Sequence, residues 1–333
     1  MMNAMTYQFF GINLVSDIAL AGFPLAESSS DITVPIVWGT VVRPQDDIVG
    51  AQYKPDSVCH QDFYFLEVDD IARYYIDQGE SITIERIGLS SDHDVAAFLI
   101  DTVLTALLLM HDQYVFHASA IKKDTTATMI CGQAGAGKSA IALHMINMGY
   151  DFVEDDRCLP YRKSGNDSVM IHNRLPYLEV WRTEAKLLEG MHSIHKIGLV
   201  RDNIAKERID MGGYVGNSND DIHLQQVIIL HIHNHIEPIT VHRLTGAQKF
   251  SLVKQYAHKD HLIKYLGSSS QQFQFIVDLL AHIPVYLIKK NRTNTAKEVS
   301  QFMQSNILEG DTSIIRNNQD QNEDIRTAQS QSR

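Results

Sequence analysis

The chain of 333 residues sets 29 Lys and Arg against 40 Asp and Glu, a net charge of −11, with 44% hydrophobic and 21% charged residues. That balance is globular, with material for one large domain or two moderate ones. The excess of acid argues against duplex nucleic acid or an anionic membrane as a main partner, since both attract a cationic field.

Three cysteines, Cys59, Cys131 and Cys158, have no CxxC spacing, and an odd count makes no disulfide framework. A reducing, cytoplasmic setting is the expectation. The opening "MMNAMTYQFFGINLVSDIALAGFPLAESSS" has no basic n-region and no uninterrupted apolar stretch, so no signal peptide is expected. Residues 1–90 are predicted to be a β-rich N-terminal region. Within it "DFYFLEVDDIARYYIDQGESITIERI" alternates apolar and polar residues around turn signals, the pattern of a meander.

Ser91, Asp92 and Asp94 offer an N-cap and first-turn acids to a helix over Val95–Met110. This stretch is too short for a bilayer and carries Asp101, which predicts a buried helix. A strand follows near Tyr114–Ile121, then the polar turn "KKDTT" and the strand "ATMIC". Next come a glycine-rich loop, an amphipathic helix over Lys138–Met148 ended by Gly149, and the strand "YDFVEDD". Strand, loop, helix and strand make a βαβ unit whose right-handed crossover brings both strand ends to one edge. Glu154, Asp155 and Asp156 would then lie beside the loop.

Further on, the pattern predicts a strand at "YLEVWR", a helix over Thr183–Leu188 and a polar stretch from Asp202 to Asp220. "LQQVIILHIH" and "ITVHRL" read as a strand pair. Helices near Ala247–Ala257 and Ser270–Ala281 precede a last strand, "PVYLIKK". Residues 309–333 are polar and low in aromatics, the composition of a disordered tail.

Gly132-Gln133-Ala134-Gly135-Ala136-Gly137-Lys138-Ser139 fits G-x-x-x-x-G-K-[ST] between a strand and a helix. Its glycines let backbone N–H groups approach phosphate oxygens, Lys138 can bridge β- and γ-phosphates, and Ser139 can take a Mg²⁺ position. ATP and Mg²⁺ are the expected cofactors. The loop alone does not separate kinase, ATPase and GTPase. The adjacent acids permit a division of labour, one carboxylate holding Mg²⁺ and another accepting a hydroxyl proton. His117, in "YVFHASAI", is by pattern as readily a packed core histidine as a catalytic one. His231, His233 and His235 share a strand face at period two, with no cysteine or carboxylate nearby to complete a metal site. Trp181, after Glu179, is expected in the core rather than as a base-stacking platform, and "KKNR" at Lys289–Arg292 as a solvated strand end.

His117 in "HASA", "GQAGAGKS", "FVEDD" and "YLEV", in this order and spacing, resemble the C-terminal catalytic domain of HPr kinase/phosphorylase, the bacterial serine kinase. The set is closer still to the shorter HprK-like kinases, some of which accompany lasso-peptide precursors and phosphorylate their C-terminal serine. The resemblance covers His111 to Lys290. It implies an α/β fold, with a P-loop core of mixed sheet and flanking helices over residues 91–308. It also implies an ATP-dependent serine kinase. His117 would be the active-site histidine, Lys138 the loop lysine and Ser139 the Mg²⁺ serine. Asp156 would accept the proton, Asp155 would be its metal-side neighbour, and Glu179 a second Mg²⁺ ligand. The family's "LEIRGLG" signature stands here as "LEVWRTE", which points away from the phosphorylase reaction and from HPr itself. Lys206 and Arg208 are candidates for its later basic residue.

The partner expected is a peptide or small protein bearing a serine, with no nucleic acid and no membrane; the resemblance admits a homo-oligomer. The competing readings are a small-molecule hydroxyl kinase, a carboxykinase relative and a non-catalytic ATP-binding regulatory protein.

Overall fold

The computed structural model describes residues 4–26, 30–163, 168–172, 175–182, 195–201, 204–215, 222–235, 237–310 and 315. Within them the chain is mixed α/β, with three sheets and flanking helices. The expected helix over 183–188 and nearly all of the expected tail lie outside the described residues.

The first sheet joins β1 (Met5–Phe9), β2 (Ile12–Ser16), β3 (Ile32–Trp38), β4 (Gln52–Tyr53), β5 (Ser57–His60), β6 (Phe63–Val68), β7 (Ala72–Asp77) and β8 (Ser81–Arg86), in the order β1-β2-β3-β8-β7-β6-β5-β4. The meander read from the alternation is β6–β7–β8. Ala72, Tyr74, Ile76, Ile82 and Ile84 are fully buried, while Arg73, between them, pairs with Glu67 and Glu85.

Helix α1 (Asp92–Phe98) runs through a π-helical turn (Leu99–Val103) into α2 (Leu104–Met110). Its N-cap is Ser91, whose hydroxyl accepts from the Asp94 N–H, as the sequence suggested. The run Asp92–Met110 is 19 residues long and apolar, so it starts earlier than expected and does reach bilayer length. It is largely buried within the molecule.

The second sheet holds β9 (Ala118–Lys123), β10 (Thr126–Gly132), β11 (Asp151–Asp155), β12 (Pro160–Arg162), β13 (Val169–Ile171), β17 (His223–His233), β18 (Thr240–Leu244) and β19 (Val285–Asn291). Its central strands alternate between two apolar clusters. Met129, Cys131, Val227 and Ile229 face α4 (Gly246–Lys254) and α6 (Ser269–His282). Ile130, Ile228 and Leu230 face α3 (Lys138–Asn147) and α7 (Ala296–Met303). Helices on both faces explain why these strands read as continuous apolar runs. α3 is not amphipathic as expected, because it is buried in two clusters: Ile141 and Met145 join the one under α7, whereas Leu143 and Ile146 join another with Phe152, Leu178 and Val180.

Several connections differ from the sequence reading. β9 begins at Ala118, later than the expected start near Tyr114, so His117 precedes the strand. β10 and β11 do not pair; β9 lies between them, antiparallel to both. They still run the same way, so their C-terminal ends share an edge. β17 and β18 do not pair either, because β19 inserts between them, parallel to β17. The polar stretch after residue 202 contains β16 (Ile204–Asp210), which joins β14 (Tyr177–Trp181) and β15 (His195–Arg201) in a third sheet, order β14-β16-β15. Two more helices were missed: α5 (Asp260–Leu266), and α7, which starts at a capping box of Thr295 and Glu298.

The largest apolar cluster crosses residue 90. It gathers Phe9, Leu14, Ile36 and Tyr74 with Leu104, Leu108, Leu159, Tyr177 and Leu262.

Candidate active site

Four elements end at one edge of the second sheet: the start of β9, the end of β10, the start of α3 and the end of β11. β10 turns at Gly132, where an added Cβ would meet Ala136 Cβ at 3.0 Å and Leu230 Cβ at 3.1 Å. This glycine is favoured by close packing. Gly135 and Gly137 have φ of +78° and +90° with open space around them, so these are required by backbone conformation. Gly137 is also the N-cap of α3, and no side chain caps that helix. Uncapped N–H groups and the positive end of the helix dipole therefore face the cleft.

Lys138, the first residue of α3, turns its ammonium back across the loop. Nζ donates to the Gly132 carbonyl at 3.0 Å and to the Gln133 carbonyl at 3.4 Å, and lies 3.0 Å from His117 Nε2. An ammonium only donates, so Nε2 accepts and the ring proton of His117 sits on Nδ1. Nδ1 is 3.0 Å from Asp156 Oδ1, an ion-pair distance whose angle falls short of a good hydrogen bond. Burial pulls the Lys138 ammonium down from its ordinary value, and Asp155 and Asp156 pull it back in part.

Asp155 ends β11 opposite Ser119 of β9, and the Ser119 hydroxyl donates to Oδ1. The Ser139 hydroxyl lies 3.1 Å from each Asp155 oxygen, and the Glu179 N–H donates to Oδ2 at 3.3 Å. Burial pushes the Asp155 carboxyl up in spite of these donors.

Asp156 leaves the strand with φ of +70°, a left-handed conformation that Asp tolerates better than most residues. Burial would raise its carboxyl, but His117, Arg157 and Lys206 together hold it well below the usual carboxylate range. Glu154 points elsewhere: it is fully buried and accepts from the Leu175 N–H at 3.2 Å.

Glu179 enters the cleft from β14. Both its oxygens are paired, Oε2 with Lys206 Nζ at 2.8 Å and Oε1 with Arg208 Nη2 at 3.0 Å. Arg208 is its cross-strand partner on β16, so the sheet missed from sequence delivers both cations. His117, Lys138, Ser139, Asp155, Asp156 and Glu179 thus share one cleft of about 170 Å³.

Three features went unread in the sequence. Arg157 is 1% exposed and lies 3.9 Å from Asp156 and 3.8 Å from Asp101, while donating to Tyr177 Oη at 2.8 Å and the Ile100 carbonyl at 3.2 Å. Nothing but its place beside "VEDD" could have flagged it. His258 stacks on His117 with centroids 5.9 Å apart. Trp181, expected in the core, is half exposed at the cleft's rim. The strand end "KKNR" also differs from expectation, because Lys290 and Asn291 are buried. His231 and His233 lie at the end of β17, and among the described residues no three or more His, Cys, Asp or Glu gather as a metal cluster.

No protein-family model matches the chain, and no curated protein matches it significantly. Among solved structures it is similar to the Hpr(Ser) kinase/phosphatase from Coxiella burnetii, at 14% identity and a TM-score of 0.31, over 57% of this chain and 93% of that one. A likeness that slight carries no functional weight.

Proposed function

We propose that the chain is a kinase on a P-loop core, passing the γ-phosphoryl group of Mg-ATP to a serine hydroxyl of a peptide or small protein. The observation that carries the reading is the His117 ring, which links Lys138 to Asp156 beside the uncapped start of α3. A structural cluster has no need of an unpaired helix terminus next to a buried lysine. A phosphate site uses both.

In this reading the loop N–H groups and Lys138 hold the phosphates and offset charge on the β–γ bridge. Lys138 is released from its loop carbonyls as they bind. Asp156 orients the acceptor hydroxyl and takes its proton as the oxygen joins phosphorus. His117 keeps the Asp156 carboxylate aimed and fixes its distance from Lys138. The transition state of such a transfer is loose, so positioning and charge outweigh base strength.

Mg²⁺ would be held by Ser139 and Asp155, with Glu179 free to join once Lys206 moves off. These are oxygen donors, as a hard cation prefers, and few enough that the ion must lean on phosphates and water. When bound, it supplies neutralisation of phosphate charge.

A small-molecule hydroxyl acceptor is the second reading. It is favoured by a cavity of about 480 Å³ beyond His117, lined by Gln133, Tyr256 and His258 among others, a size that suits small ligands. The test is incubation with labelled ATP and panels of peptides and hydroxylated metabolites, followed by mass localisation of the phosphate. Serine-terminated lasso precursors belong in the peptide panel. Bound ATP with no transfer to any acceptor would leave only a nucleotide-binding protein.

A further inference from the structure

β14 alternates strictly. Leu178 and Val180 turn into an apolar cluster with Leu143, Ile146 and Phe152, so Glu179 and Trp181 face the cleft. Glu179 is 6% exposed and forms part of the floor, whereas Trp181 is 50% exposed and stands at the mouth. The other cleft residues include two cations, Lys138 and Lys206, the carboxylates Asp155 and Asp156, and the glycine turn at Gly135 and Gly137 that leads into the uncapped start of α3. Lys138 and the uncapped helix start favour an anionic end of a ligand, and the exposed indole of Trp181 a flat apolar end.

The direction of such a ligand follows from Lys138. Its ammonium lies against His117 and the carbonyls of Gly132 and Gln133, which marks the β/γ end of a triphosphate. An acceptor must approach that end from the side away from the leaving group, where the second cavity opens beyond His117. The nucleoside leaves by the other end, past Ser139 and Ala140 of the first helical turn. Trp181 lines the cleft with those two residues.

We propose that Trp181 is the stacking platform for the base of a purine nucleotide whose phosphates lie along Gly135–Ser139. The inference rests on the nucleotide reading above and adds the residue that grips the base. An indole face recognises a π-surface, not a hydrogen-bond pattern, so adenine and guanine are held alike and a pyrimidine less well.

The test uses the full chain and calorimetry with MgADP, MgGDP, MgUDP and magnesium tripolyphosphate. Trp181→Ala is expected to weaken MgADP about ten- to a hundredfold and leave tripolyphosphate unchanged, while Trp181→Phe keeps most of the affinity. The chain has only two tryptophans, Trp38 and Trp181. In a Trp38→Phe background, MgADP should quench the remaining fluorescence and tripolyphosphate should not. MgADP bound equally by wild type and Trp181→Ala, or bound without change in fluorescence, overturns the platform and spares the phosphate site. Failure of wild type to bind either compound overturns both.

Discussion

Lys138 Nζ lies 3.0 Å from His117 Nε2, so the loop cation and the imidazole are already in register. Two loop carbonyls share that ammonium, which is thereby held inside the space that phosphates would enter. Lys138→Met removes the only side-chain cation on the loop itself. It should weaken MgADP at least tenfold and abolish phosphoryl transfer while the fold is kept, as calorimetry and circular dichroism would show. Unchanged ADP affinity would refute the loop's assignment.

Asp156→Asn keeps the shape of the side chain and its tolerance of φ +70°, but removes the carboxylate proposed to accept the proton. Transfer should fall on the order of 10²- to 10⁴-fold, with MgADP affinity within a few-fold of wild type. A variant that transfers at the wild-type rate would move the proton-accepting role elsewhere.

Arg157 is a buried cation shared between Asp101 and Asp156. Burial would lower its guanidinium, but the charges around it, with Tyr177, raise it. Arg157→Met leaves two carboxylates without their shared partner and should cost on the order of 3–5 kcal/mol in urea denaturation. Tyr177→Phe, which removes one hydrogen bond to the same guanidinium, should cost about 1–2 kcal/mol.

His258 is held down to about 4 by burial, Asp156 and Asp101 opposing and Lys259 and Arg157 assisting. In the unfolded chain its value returns to about 6.5. Between those two values the unfolded chain binds the extra proton, so stability rises with pH across the window and is lost as pH falls from 6.5 towards 4. The effect is on the order of 2–3 kcal/mol. Asp155, whose carboxyl is pushed up, carries the opposite sign: its contribution falls as pH rises through its folded value. Comparison of urea midpoints for wild type and His258→Phe at pH 7, 6 and 5 isolates the histidine. An identical slope in the two proteins would rule it out as the source.

Gly132→Ala and Gly137→Ala should both destabilise, for different reasons. The first drives a methyl to within 3.0 Å of Ala136 Cβ; the second places a Cβ on a backbone at φ +90°. Moving Ala136 to a smaller residue removes one of the close contacts, Leu230 Cβ at 3.1 Å remaining, and should therefore recover part of the loss for Gly132→Ala and none for Gly137→Ala. Melting temperatures of Ala136→Gly combined with each variant would show whether it does.

What the sequence made legible was local and periodic. The strand–loop–helix around "GQAGAGKS" and the β6–β7–β8 meander follow from spacing, turn residues and alternation within a few residues. Pairing partners were not legible, because β9 between β10 and β11, and β19 between β17 and β18, are set by packing across distant segments. The polar composition around β16 hides a strand, because Lys206 and Arg208 spend their charges on Glu179 inside the fold. Arg157 and Trp181 fail in opposite ways. Residue type argues for surface in the first and core in the second, and their neighbours in space reverse both.

The apolar cluster that ignores residue 90 makes the two halves of this chain mutual chaperones. Phe9, Leu14 and Ile36 lie on one side of that point and Leu104, Leu159 and Tyr177 on the other. Tyr177 in turn holds Arg157, which stands beside Asp156. A fragment started at residue 91 would bare that oily seam to water and slacken the brace behind the carboxylate, so insolubility rather than a minimal enzyme is what such a truncation should yield.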